Sequence, residues 1–195
     1  MSGFEYVTRA GWGAKPPTGK LSFYPHVPTV GVIHYIGSGV LGQDDEFARM
    51  RQLQATAQAG VHGDKYVDFP YNEAIGQSGR QFEGRGVSFV NGANSGAANA
   101  SMYSILALIG DGDVPSDALK ASIVDLAEKR GLKQLVPHSL VATQGTACPG
   151  PRLTLWLAGT PLSSRPPSAG DAVLPPLDLV PILKMKQAIA IGAMV

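Results

Sequence analysis

A chain of 195 residues, 44% of them hydrophobic, is long enough for one ordinary domain and apolar enough to bury a core, which excludes global disorder. Its 16 basic and 15 acidic residues leave a net charge of +1 without the clustered Lys and Arg of a nucleic-acid footprint. A single cysteine excludes an internal disulfide. The N-terminal stretch MSGFEYVTRAGWGAKPP has neither the basic start nor the apolar run of a signal peptide. The chain is therefore expected to be made in the cytoplasm and to act elsewhere only if another agent releases it.

Residues 1–28, rich in Gly and Pro with Trp12 and Tyr24 interspersed, read as an irregular lead-in. TVGVIHYI, Thr29 to Ile36, is a β-branched run that suits a buried strand. A helix is expected from Asp44 or Asp45 as N-cap to about Ala59. Phe47, Met50, Leu53 and Ala57 recur in it at helical spacing, and Gly60 closes it. Tyr71 to Gly76 reads as a strand, QSGR as a turn, and Gln81 to Glu83 as the hairpin partner. Residues 84–100, dominated by Gly, Asn, Ser and Ala, read as a long surface loop. YSILALI, Tyr103 to Ile109, is the most apolar strand candidate, and Ser116 can cap a helix with Leu119, Ile123 and Leu126 on one face and Gly131 at its end. Strands alternating with helices predict an α/β fold, a central mixed β-sheet flanked by helices. The folded domain is expected over 1–159. Residues 160–178, with five prolines between Thr160 and Pro176, read as a linker. The segment 179–195 is apolar but carries Lys184 and Lys186, too short and too charged for stable membrane insertion. It reads either as a short terminal helix or as the start of a further module.

The only cysteine, Cys148, stands ten positions after His138 in PHSLVATQGTACPG, among turn-forming residues rather than in a packed element. Three uses are open to it: nucleophile, metal ligand, or inert apolar side chain. His34 lies in the strand VIHYI. Two imidazoles and a thiolate form a catalytic zinc set that leaves the fourth position for water. Spacing alone does not select this reading, because His34 and His138 are more than a hundred residues apart.

The surrounding words select it. RAGWGAKPP at 9–17, VIHYIGSG at 32–39, YNEAIGQSGRQFEGRG at 71–86, NASMYSILALIGDG at 99–112 and HSLVATQGTACPG at 138–150 occur in this order. Together they resemble the zinc-dependent N-acetylmuramoyl-L-alanine amidases, a family that includes phage endolysin amidases and peptidoglycan recognition proteins. The resemblance implies a single amidase domain with a zinc cleft on one face of its sheet. It also implies one Zn²⁺ per chain, and hydrolysis of the amide between N-acetylmuramic acid and L-alanine in peptidoglycan. It makes His34, His138 and Cys148 the metal ligands. Tyr71, in the Y-N-x-x-I-G word, becomes a hydrogen-bonding phenol near the zinc-bound water or the carbonyl oxygen, and Thr146, two positions before the cysteine, a stabiliser of the oxyanion. The missing signal peptide fits a phage lysin released through a holin. The alternative is a non-catalytic peptidoglycan-binding module of the same fold, whose members typically lose the cysteine that is present here.

Some residues depart from the family pattern. Tyr35 stands where a second histidine often follows the ligand, and strand alternation sends it to the opposite face. Some amidases of this fold carry a glutamate on the strand matching YSILALI, which here has no acid. Glu73 follows Tyr71 at i+2 and is expected to share its face, either acting on the attacking water or standing as a solvated rim residue. Arg9, Trp12 and Arg85 match family words and are expected to line or brace the cleft. His26 and His62 have no place in the scheme.

Overall fold

The computed structural model describes residues 3–37, 39, 41, 45–61, 63–160 and 162. Two short elements occupy the part of the lead-in read as irregular: β1 (Tyr6–Val7) and α1 (Arg9–Trp12). Neither carries a local pattern of its own. β1 exists because β4 (Gln81–Glu83) offers it an edge, in parallel register Tyr6 to Gln81. α1 is a single turn capped by Thr8, whose hydroxyl accepts from Gly11 N–H.

β2 (Val30–Tyr35) is the buried strand expected of TVGVIHYI. It lies between β5 (Tyr103–Ala107) and β6 (Gln134–Pro137), parallel to both. A strand paired on both edges and covered on both faces has no solvated side, hence its continuous apolar run. β3 (Glu73–Ile75) pairs antiparallel with β4 and parallel with β5, giving the six-stranded mixed order β1-β4-β3-β5-β2-β6.

Helices cover both faces. α2 (Glu46–Ala59) begins at Asp45, whose carboxylate accepts from Phe47 and Ala48 N–H, and ends at Gly60 in the left-handed region. α4 (Asp117–Lys129) begins at Ser116, whose hydroxyl accepts from Leu119 N–H. Leu119, Ile123 and Leu126 of α4 pack with Leu153 and Leu157 of α6 (Pro151–Ala158) on Ile33, Ile75 and Ile105. The other face carries Ala74, Phe82, Leu106 and Leu108 against Trp12, Met50 and Phe69. His34 pairs in register with Leu106, and Leu106 with Ala74, so His34 belongs to this second face.

The stretch 84–100 is not the surface loop expected of its composition. Arg85, Asn91 and Asn94 are buried in it, and it leads into the one-turn helix α3 (Ala98–Ser101). Its polar side chains replace a secondary-structure ladder: Asn91 Oδ1 accepts from Ala93 and Asn94 N–H, and Asn91 Nδ2 donates to Asn99 and Met102 carbonyls. The linker and terminal segment expected over 160–178 and 179–195, together with Asp44 and His62, lie outside the described residues apart from Thr160 and Leu162. Among the described residues no helix is long and apolar enough to cross a membrane.

Candidate metal centre

Strand pairing closes the sequence gap between the two histidines. His34 is the penultimate residue of β2, and His138 opens the one-turn helix α5 (His138–Val141) directly after β6, where Pro137 pairs with Ile33. The two rings stand 4.3 Å apart at 39°. The chain then loops back so that Cys148 C=O accepts from Ser139 N–H at 2.7 Å, and Gly150 carries it into α6. Gly150 has φ of 83°, and a Cβ there would come within 3.0 Å of the Tyr35 ring. Only glycine satisfies both constraints. Tyr35 thus packs on the face opposite His34, as strand alternation requires.

His34, His138 and Cys148 each present a ligand atom within 4.8 Å of the others. Cys148 Sγ lies 3.7 Å from His34 Nδ1. Ligands placed tetrahedrally around zinc at their usual bond lengths are roughly 3.3–3.8 Å apart. The donor types fit the ion, the Cys148–His34 pair falls in that range, and the set as a whole would draw in by at most about 1 Å. Burial, with nearby His138 acting in the same sense, pushes His34 down to about 3, opposed by its bond to Asn94, so the ring is neutral and has a lone pair to offer. Burial pushes the Cys148 thiol up to about 11, against a lowering contact from the Tyr35 backbone. A nucleophilic cysteine needs the opposite shift, so this thiol is not poised for attack near neutral pH.

Tyr71 borders the cluster, its ring edge-on to His34 at 5.1 Å and tilted against Phe69 at 5.3 Å. Burial raises its phenol far above the ordinary value, with the nearby Cys148 and Tyr66 adding to the effect, so it remains a proton donor. A cavity of about 420 Å³ is lined by His34, Ile36, Tyr71, Leu106, His138 and Cys148. A second, of about 650 Å³, lies beside it and shares Asp64, Tyr66, Ala93 and His138. Thr146 lines the second cavity, and its hydroxyl accepts from Cys148 N–H at 3.2 Å, leaving its own proton to donate.

Glu73 does not share the face of Tyr71. Tyr71 lies outside β3, and pairing before that strand is not one-to-one. Asn72 C=O accepts from both Gly84 and Gly86 N–H, and Tyr71 C=O accepts from Arg85 N–H. The pleat is broken there, so the i+2 rule does not carry across it. Glu73 pairs with Ile105, on the face of α4, and is fully buried. It accepts from Tyr6 at 2.9 Å, from Tyr103 at 2.7 Å, and from both Nε and an η nitrogen of Arg130. It is a structural anion that ties α4 to β1, β3 and β5. Glu73→Gln is expected to lower stability by on the order of 3 kcal/mol, the scale for leaving one member of a buried ion pair uncompensated. Zinc content and rate per folded molecule should stay at wild-type values. Thermal melts with metal analysis check this; an unchanged melt with a lost acidic limb of the pH–rate profile would return Glu73 to catalysis.

The other family-word residues brace the site. Trp12 is fully buried and donates to Glu83 C=O at 2.7 Å. Arg9 donates to Gly84 C=O and pairs with Asp68. Arg85 donates to the carbonyls of Phe69 and Val90, which fixes the segment carrying Tyr71. His26 is exposed. Sequence reasoning missed Asn94, whose Oδ1 lies 2.8 Å from His34 Nε2.

The fold and donor set define a class. No family profile matches the chain. The crystal structure of Drosophila peptidoglycan recognition protein SD superposes with a TM-score of 0.71 at 26% identity, over 82% of this chain and 96% of that one. A point variant of Drosophila peptidoglycan recognition protein LB in complex with tracheal cytotoxin gives 0.70 at 23% identity, over 80% and 95%. This is a domain of the amidase and peptidoglycan-recognition-protein fold. In sequence, peptidoglycan-recognition protein SD of Drosophila simulans is 34% identical over 106 residues, 54% of each chain. The chain spans about half the length of the curated relatives it matches.

Proposed function

We propose that the chain is a zinc-dependent N-acetylmuramoyl-L-alanine amidase of endolysin type, cutting between the lactyl group of N-acetylmuramic acid and L-alanine in peptidoglycan. The observation that carries this reading is the His34, His138 and Cys148 donor set gathered at the wall of the cavity. The fold serves amidases and also members without activity, and the cysteine in place favours the enzyme over a binding module. A relative of this fold in complex with tracheal cytotoxin, a monomeric diaminopimelic acid-type peptidoglycan, supports the substrate class.

His34, His138 and Cys148 would hold the ion. Zinc in that position supplies Lewis acidity toward the amide carbonyl and lowers the pKa of the water it binds. Tyr71, kept protonated by burial, donates a hydrogen bond toward charge that develops on the carbonyl oxygen. Thr146, at the rim beyond Cys148, offers its hydroxyl proton to the same charge. Leu106, Ile36 and Phe69 keep the wall beside Tyr71 apolar, which strengthens the Tyr71 hydrogen bond. The adjoining second cavity, of about 650 Å³, offers room for the peptide stem.

Digestion of purified peptidoglycan followed by mass analysis of the products tests the reaction. Intact peptides beginning at L-Ala, with free muramoyl groups, are expected from the zinc-loaded protein, and none after chelation until zinc is restored. New reducing sugar ends would instead identify a glycosidase, and unaltered peptidoglycan bound to the protein would identify the binding module.

A further inference from the structure

We infer that Asn94 is a positioning residue that selects the metal-ligating tautomer of His34 and fixes the orientation of its ring. The inference rests on the reading of His34, His138 and Cys148 as a zinc set.

The orientation of the Asn94 amide follows from its neighbours. Its Nδ2 donates to two backbone carbonyls, Ala98 at 3.3 Å and Met102 at 3.1 Å. Turning the amide over would set its oxygen against both of those oxygens, so Oδ1 is the atom that meets His34 Nε2. The side chain is fully buried, and the backbone N–H of Asn94 donates to Asn91 Oδ1 and Asn99 Oδ1. Nothing in this arrangement lets it rotate cheaply.

An amide oxygen only accepts. His34 Nε2 must therefore carry the proton, and the neutral ring keeps its lone pair on Nδ1. Nδ1 is the nitrogen that faces Cys148 Sγ. One hydrogen bond thus decides both which nitrogen can ligate and where the ring points. Histidine ligands to zinc are commonly held this way by a partner on the second nitrogen, and loss of such a partner costs about 10–100-fold in metal affinity. The composition that makes 84–100 look like a loop is what builds this support, because short amide side chains can satisfy a buried turn and still offer one oxygen outward.

The test uses the 195-residue chain with Asn94→Leu and Asn94→Asp. Nitrogen NMR of the metal-free wild type should show His34 protonated at Nε2. Zinc affinity, read by competition with a chromogenic chelator, should fall about 10–100-fold in Asn94→Leu and stay within about threefold of wild type in Asn94→Asp, which keeps an acceptor for His34. Asn94→Asp should nevertheless melt lower than Asn94→Leu, because both lose the Nδ2 bonds but only aspartate sets a buried oxygen against the two carbonyls. A purely structural Asn94 predicts instead that affinity follows the melting temperature, with Asn94→Asp the weaker binder, and that result overturns the inference. So does a wild-type His34 protonated at Nδ1, a measurement that stands even if neither variant folds. A wild type that binds no zinc removes the proposed function, whereas the tautomer of the metal-free protein judges the Asn94 bond alone.

Discussion

Cys148→Ser is expected to lose zinc and hydrolytic activity together. Serine replaces a soft sulfur that ionises on metal binding with a hydroxyl that stays neutral and is a poor zinc ligand. Only His34 and His138 then remain, and the affinity loss should far exceed the ~10–100-fold that follows loss of an outer partner. The fold should survive, since Cys148 is a small side chain and Cys148 C=O still accepts from Ser139. Elemental analysis should give one zinc per wild-type chain and essentially none in the variant. Thermal melts supply a second readout. Zinc at about 1,000 times its dissociation constant should stabilise the wild type by about 4 kcal/mol and leave Cys148→Ser unmoved. In the wild type the thiol should resist alkylation until the metal is stripped. Full zinc occupancy in Cys148→Ser would remove the cysteine from the ligand set.

Helices α2 and α4 are legible in the sequence because their ends are chemical. Asp45 and Ser116 accept from the first free N–H groups, and Gly60 supplies a left-handed exit that other residues reach only under strain. β2 and β5 are legible because a strand covered on both faces must be mostly apolar. β1 and β6 are not, since two to four residues with one exposed end carry no period, and their place comes from the neighbouring edge. α6 had a signal that composition hides: Pro151 at its first position, preceded by glycine.

At the candidate site, the words around His34, His138 and Cys148 mark three residues that the structure brings together, although no spacing argument joins residues 104 apart. Glu73 shows where local rules stop. Alternation is valid inside a strand, but Tyr71 and Asn72 lie before β3 in a paired turn that shifts the pleat. Asn94 was hidden for the opposite reason. A polar loop reads as solvated unless its amides satisfy one another, and that is a property of the folded turn rather than of the composition.

Tyr71→Phe is expected to retain zinc and fold while kcat falls by roughly 10²–10³, the range for losing one oxyanion donor. The ring packs edge-on to His34 and against Phe69, and phenylalanine keeps both contacts. Only the hydroxyl is removed, from a phenol that burial keeps protonated. A hydrogen bond to a neutral amide oxygen is weak, and it strengthens as negative charge collects there. The loss should therefore appear in kcat with little change in KM. Because the phenol does not titrate in the working range, the pH–rate profile of Tyr71→Phe should keep the wild-type limbs at lower amplitude. That distinguishes it from a proton acceptor, whose removal erases a limb. Thr146→Val provides the comparison. Its hydroxyl stands on an exposed loop, where water screens the same charge, so its loss should be smaller than that of Tyr71. Near-normal kcat for Tyr71→Phe on intact peptidoglycan would reverse that order and move oxyanion stabilisation to Thr146 and the metal.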